Sequence, residues 1–485
     1  MSSTPAPATL PPPGQVSAIR RRPRWGIQTG LWQPFQPAFW LYVIALFLGF
    51  LYTLIVQVLA IATSPAGWGL SWILLLLYIL PVVLVIRWLD LYEREPRSMM
   101  IAAFLWGAIV AVTFSGFAND IWGIAIARLG GAEFAGEWSA ALTAPPVEEI
   151  YKYLGIVVLY LIARLEFDDL MDGFVYGALI GLGFAVAEDI FYFMFVFGGD
   201  VAAVLEGFFV RVIASGLYGH VTFTGIAGIG FAYFVTHRLD KPLAKRLAVA
   251  VGLLLLAMAA HFVWNSPFFH SLPILLYGVV KGLPFLIGLV VLLYLARRRE
   301  NQDLELILVD EVGRPGLLPA ELTALTNRRS RRAAAKRVKK AAGGQAEQVL
   351  KQLQREQIRL ALLASAADTA DDAQLLQQRL LVAGLRGRLW QFPGAAAALG
   401  IDEATAAAPP VPAQWAAPFV PHRTIASSGG WAWATPDQID KRRIPLAPGL
   451  QLQIMEDRGG WLLVRTQTGW AGWTGAPYLV AVPGA

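Results

Sequence analysis

The chain has 485 residues, 56% of them hydrophobic, with a formal net charge of +6 and no cysteine; its mean hydropathy is +0.52. That apolarity excludes an ordinary soluble protein and points to several membrane spans. The missing cysteine excludes disulfides, thiolate metal sites and a cysteine nucleophile.

Residues 1–37 form a Pro/Ala-rich arm, predicted to be disordered, that carries Arg20, Arg21, Arg22 and Arg24. The first apolar stretch is long and lacks a convincing signal-peptide cleavage site, so it is expected as an anchored span. A span needs about 20 mostly apolar residues. Eight segments qualify: 38–62, 69–88, 99–128, 140–164, 172–198, 207–236, 246–266 and 272–297. Loop charges orient them. Arg87, Arg94, Arg97, Arg164, Arg238, Lys241, Lys245, Arg246 and Arg297–Arg299 fall on the side of the N-terminal arginines, whereas Arg128 and Arg211 fall on the other. Both termini are therefore predicted to be cytoplasmic.

Ionisable groups inside these apolar segments are costly and tend to be functional. Glu148, Glu149 and Lys152 stand in the fourth span, Glu188 in the fifth, His220 in the sixth, and His261 with Asn265 in the seventh. With the predicted orientation, all lie within roughly 20 Å of the outer surface at ~1.5 Å rise per residue. Asn119, Asp120 and Lys281 fall in the same half. This convergence predicts one polar cavity open toward the outside. Lys152 lies angularly between Glu148 and Glu149, so it can hold one carboxylate ionised while the other serves as a base. Pro145 and Pro146 suit a helix start or a kink there. Gly173, Gly177 and Gly181 recur at four-residue spacing, a groove for close helix packing that brings Glu188 toward a neighbouring span. Thr224 and Asn265 each lie one turn after a histidine, on the same face.

Glu148-Glu149-Ile150-Tyr151-Lys152, then Phe184-Ala185-Val186-Ala187-Glu188, then His220, then His261-Phe262-Val263-Trp264-Asn265 resemble the pattern of PrsW-type intramembrane proteases. These are relatives of the wider CAAX-protease-like membrane superfamily. Tyr92-Glu93-Arg94-Glu95-Pro96 looks like that family's short loop before the core, and the resemblance covers about residues 40–300. It implies hydrolysis of peptide bonds in single-span membrane substrates such as anti-sigma-factor-like regulators. It also implies Glu148 or Glu149 as general base, with His220, His261 and Asn265 polarising the scissile carbonyl, stabilising its oxyanion or binding a metal. His220, His261 and Glu188 could supply three zinc ligands; no HExxH pattern is present, so zinc is allowed but not required. The polar groups also admit plainer readings: Glu148 and Lys152 as a self-neutralising pair, each histidine as a packing residue, Asp120 with Lys281 as a buried structural pair. An ion- or proton-coupled transporter and a non-catalytic membrane scaffold are the alternative functions. Against transport, the spans show no inverted repeat.

Residues 300–402 read as a connector and a basic helical hairpin. Its eight basic residues between Arg328 and Lys340 suit a solvated face obeying the positive-inside bias better than a lipid-headgroup site. No nucleic-acid partner is expected. Residues 403–423 form an Ala/Pro linker. Residues 424–485 alternate as short strands and resemble a bacterial Src-homology-3-like barrel, with Trp461, Val464, Gly469, Trp470 and Trp473 in the matching spacing. That likeness implies a peptide ligand, while its tryptophans also suit a barrel core. The expectation is an all-α polytopic protein of the bacterial-type plasma membrane. Residues 38–299 form its core, followed by a cytoplasmic helical region and a small all-β barrel.

Overall fold

The computed structural model describes residues 29–90, 92, 94–214, 219–238, 240–269, 271–312, 317–367, 373–402, 421–433, 444–466 and 471–482. The predicted Ala/Pro linker up to residue 420, the N-terminal arm up to residue 28, and Gly469 and Trp470 lie outside them. Residues 27–300 cluster as one unit, and residues from 301 onward belong to another.

The first unit is helical: α1 (Pro37–Thr63), α2 (Pro65–Leu89), α3 (Arg97–Leu105), α4 (Val112–Gly130), α5 (Ala132–Ile162), α6 (Leu170–Phe191), α7 (Val201–Phe208), α8 (His220–Thr236), α9 (Leu243–Asn265) and α10 (Ile274–Val309). Among the described residues, six segments are long and apolar enough to cross a membrane, α1, α2 and the continuous α3–α4 stretch included. The fourth expected span is α5, whose charged triad interrupts its apolarity. The sixth is shorter than expected. Gly198 and Gly199 turn the chain with positive φ, and Asp200 caps a separate helix, α7. The apolar helix α8 begins only at His220.

Local chemistry explains the boundaries. Ser64 accepts from Gly67 N at the start of α2, with Pro65 in its first turn. Asp169 and Asp172 form a capping box on α6. Residues Trp106–Ala111 join α3 to α4 in π-helical form. Trp106 Nε1 anchors this bulge to Tyr151 O at 2.9 Å. The expected kink at Pro145 and Pro146 is absorbed within α5, which runs through both prolines.

Helix α6 is the centre of the unit, buried along nearly its whole length. Its glycine series fixes the packing. A Cβ on Gly173, Gly177 or Gly181 would lie 2.2, 2.4 or 2.2 Å from the carbonyl oxygen of Gly228, Thr224 or His220 on α8. The opposite face of α6 is equally close: a Cβ on Gly183 would meet Phe104 O at 2.0 Å, and one on Gly107 would meet Ile180 O at 1.9 Å. Only backbone fits between α6 and its neighbours on either side.

The second unit holds α11 (Pro319–Leu325), α12 (Arg328–Ala366), α13 (Ala373–Trp390), the short α14 (Ala395–Ala398) and seven strands. Gly343, at φ 87°, breaks α12. The second half of α12 and α13 make the expected hairpin, its turn outside the described residues. Buried ion pairs join the helices: Arg379 Nε to Glu311 Oε2 at 2.7 Å and Arg386 to Glu321 Oε2 at 2.7 Å. The strands are β1 (Arg423–Ile425), β2 (Gly430–Trp433), β3 (Ile444–Leu446), β4 (Gln451–Arg458), β5 (Trp461–Arg465), β6 (Ala471–Gly475) and β7 (Leu479–Val480). They pair antiparallel in the order β3-β2-β6-β5-β4-β1-β7. The result is a curled half-barrel. Gly459 and Gly460, both at positive φ, make the β4–β5 turn that the sequence announces. Trp473 is fully buried, packed with Met455, Leu463 and Leu376 of α13, so this tryptophan is core.

Candidate active site

Four helices bring the predicted residues together. On α5, Glu149 and Lys152 are fully buried and Glu148 is nearly so. Lys152 Nζ lies 2.7 Å from Glu149 Oε1 and 3.4 Å from Glu148 Oε2. It also lies 2.8 Å from His220 Nδ1 and 4.0 Å over the Phe184 ring. The close α6–α8 packing sets His220 beside Phe184, ring centroids 4.8 Å apart. It also puts His220 Nε2 2.9 Å from Glu188 Oε2.

The two neighbouring glutamates occupy different environments. Glu149 Oε1 contacts Lys152 and His261 Nδ1, the latter at 3.0 Å, and Oε2 accepts from Thr224 Oγ1 at 3.2 Å. Every donor around it is buried protein. Glu148 Oε1 accepts from Asn119 Nδ2 at 3.1 Å. Its Oε2 faces His261 Nε2 at 3.8 Å and His220 Nδ1 at 4.0 Å. A polar cavity of about 500 Å³ is lined by Glu148, Glu188, His220, His261, Ser139 and Asn265, but not by Glu149 or Lys152.

The partners imply the histidine tautomers. His220 Nε2–H donates to Glu188, so its Nδ1 accepts from Lys152, which must release it before Nδ1 can ligate an ion; His261 Nδ1–H donates to Glu149, so its Nε2 lone pair faces Glu148. Carboxylate-backed imidazoles of this kind are typical of metal ligands. Donor atoms of Glu148, His220 and His261 all lie within 4.8 Å of one another. This two-histidine, one-carboxylate set suits a zinc-type ion with an open position. It differs from the expected set of His220, His261 and Glu188. Glu188 sits on the outer edge of the His220 ring and pairs with Arg211 at 2.7 Å instead. A second acidic group, Asp168, Asp169 and Asp172, is engaged in capping α6, with Asp172 Oδ2 accepting from Asp168 N and Asp169 N.

Asn265 lines the cavity and donates to Ala140 O at 3.2 Å, tying the end of α9 to α5. Asn119 and Asp120 also border the cavity. Lys281 does not: it donates to Trp264 O and Ser266 O and closes the end of α9. The expected Asp120–Lys281 pair is absent among the described residues, because Lys281 is committed to those carbonyls and Asp120 is exposed. The sequence reading treats Arg211 as a loop charge, yet its guanidinium binds both Glu188 and Asp189, the latter at 2.6 Å, and stacks over Tyr192 at 3.8 Å. Two adjacent carboxylates in an apolar helix require a cation, and that was the available signal. Before the core, Glu95 accepts from Tyr176 Oη and ties the connecting loop to α6. Burial raises the Glu95 carboxyl well above its ordinary range.

Residues 95–296 match the model of the PrsW family intramembrane metalloprotease. The chain is 35% identical over 107 residues to Protease PrsW of Geobacillus kaustophilus (strain HTA426), covering 22% of this chain and 44% of that protein. It is 30% identical over 103 residues to Protease PrsW of Bacillus subtilis (strain 168), covering 21% and 44%. The chain thus spans less than half the length of these relatives. No solved structure matches. The match takes in α3 to α9 and every residue of the polar cluster: residues 95–296 of this chain are similar to the PrsW family of intramembrane metalloproteases.

Proposed function

We propose that the chain is a membrane-embedded protease that cleaves single-span membrane proteins, anti-sigma-factor-like regulators among them, near the outer leaflet of a bacterial-type plasma membrane. One observation carries this reading. Of the two adjacent glutamates, only Glu148 fronts the polar cavity, its Oε2 about 4 Å from both imidazoles.

In this reading Glu148 Oε2 takes a proton from a water in the cavity, and the water oxygen attacks the substrate carbonyl. Asn119 fixes Oε1, so Oε2 points to the reacting side. Glu149 is a positioning residue: it neutralises Lys152 and orients His261. Arg211 does the same for Glu188, which orients His220. An ion held by Glu148, His220 and His261 would instead supply Lewis-acid polarisation of the carbonyl and acidify a water itself, in place of Glu148 as the free base. The loop-charge bias supports cytoplasmic termini. In the half-barrel, the likeness to Src-homology-3 domains supports a peptide ligand.

The test is co-expression of tagged single-span proteins with wild type, Glu148→Gln and Glu149→Gln at equal protein levels. Fragments made by wild type and absent with Glu148→Gln support the reading. Identical fragments from wild type and folded Glu148→Gln would sink it.

A further inference from the structure

A second cavity, of about 550 Å³, opens beside the first and is mostly apolar. Phe50, Thr53 and Gln57 of α1 form one wall, and Ala108, Val112 and Phe184 belong to the opposite side. The π-helical bulge before α4 contributes to that side, and such bulges commonly mark functional sites. The two cavities share five residues: Asn119, Asp120, Glu148, Glu188 and Tyr192. Water-accepting and apolar spaces therefore meet at the cavity-facing glutamate.

Asn119 stands at that junction with half of its amide used. Its Nδ2 donates to Glu148, while its buried Oδ1 has no donor among the described residues. A buried acceptor without a donor is costly in an apolar setting. Water from the polar cavity, which Asn119 also borders, can satisfy it at rest; a substrate group that replaces this water from the apolar side has to bring an N–H. A membrane helix presents apolar side chains, but its own turns occupy its N–H groups. Peptide unwound from such a helix presents both.

We propose that the cleft between α1, α4 and α6 receives the membrane-spanning segment of the substrate, and that Asn119 Oδ1 accepts a backbone N–H from the stretch unwound beside the cut. Asn119 is then a substrate-binding residue that offsets the loss of helical hydrogen bonds. This rests on the protease reading above and deepens it.

The test uses the full chain and two tagged single-span substrates that differ only at the cut region, one Leu/Ala-rich and one carrying a Gly-Pro pair. Asn119→Ala removes the support of Glu148 for both substrates and is expected to slow cleavage of the Leu/Ala substrate about tenfold more than that of the Gly-Pro substrate, the effect of one further lost hydrogen bond. Merely weakening the support of Glu148 would slow both alike, which would overturn the assignment of Asn119. Thr53→Trp, which fills the cleft from α1, far from the carboxylates, is expected to block the spanning substrates but not a short detergent-soluble peptide of the same cut sequence. Equal cleavage of spanning substrates by Thr53→Trp and wild type would overturn the route. If wild type cuts neither substrate nor the peptide, the protease reading itself fails, an outcome distinct from either selective result.

Discussion

Replacing Gly181 with alanine tests whether the glycine face of α6 sets the active geometry. The new Cβ would lie 2.2 Å from His220 O. Relief to an ordinary contact of about 3.4 Å displaces the start of α8 by about 1.2 Å. His220 opens α8 and has hydrogen-bond contacts to Lys152 and Glu188 at 2.8 and 2.9 Å, so a shift of that size breaks both. Misplacement of about 1 Å can cost roughly 100-fold in rate, and overpacking of this kind costs about 1–3 kcal/mol in stability. Gly173→Ala provides the control. Its Cβ would clash just as closely, 2.2 Å from Gly228 O, but two turns away along α6, roughly 12 Å at ~1.5 Å per residue. The assay is substrate cleavage in matched membranes beside thermal unfolding in detergent. Gly181→Ala should lose about two orders of magnitude in cleavage, Gly173→Ala much less, with similar falls in stability. Equal activity losses in the two variants would refute the reasoning.

Other predictions follow from the same geometry. Glu149→Gln should lower thermal stability more than Glu148→Gln, because it leaves Lys152 with only its longer contact to Glu148 and takes the buried carboxylate from His261, a loss of up to about 3–5 kcal/mol; equal melting temperatures would count against the positioning role. Zinc binding followed by calorimetry should weaken at least tenfold in Glu148→Gln and His261→Ala and far less in Glu188→Gln; the reverse ranking would restore Glu188 as the ligand. Burial, then neighbouring Asp169, push the Asp90 carboxyl up to about 7. A carboxyl raised on folding binds its proton more tightly in the folded state, so its contribution to stability is lost as pH rises from about 4 through about 7. Asp90→Asn should flatten that part of the stability profile, and an unchanged profile would exclude Asp90 as its source. In the second unit, Arg386→Met leaves Glu321 buried without its cation and should destabilise the helices by about 3–5 kcal/mol, read by protease resistance of that unit.

Much of the site was legible because a membrane makes polarity conspicuous. Glu148, Glu149, Lys152, Glu188 and both histidines stand out from their apolar segments, and the four-residue glycine spacing announces the α6–α8 contact. Direction was harder to read. Glu148 and Glu149 are about 100° apart on one helix, and which of them meets water depends on Thr224 and His261 from other helices. The pairing of Glu188 with Arg211 was not legible, because spacing along α6 does not reveal which edge of the His220 ring Glu188 approaches. Arg211 was hidden by its loop-like context, and the π-helical bulge at Trp106 leaves no periodic signature. The sixth span was overextended because residues 207–213 are as apolar as a span, although they continue α7 and the helix α8 begins only at His220.

The backbone-to-backbone packing of α6 has a mechanical consequence. A helix gripped on two faces with no side chain between behaves as a fixed axle. Give in the assembly is then concentrated in the periphery, where the apolar windows of α1 and α2 are only 11% and 17% buried by protein. Those two helices meet lipid over most of their surface, and their tilt answers to the thickness of the bilayer around them. Because α1 forms one wall of the apolar cleft, the lipid composition of the membrane becomes a dial on the cleft's width while the carboxylate–imidazole cluster beside α6 stays in register.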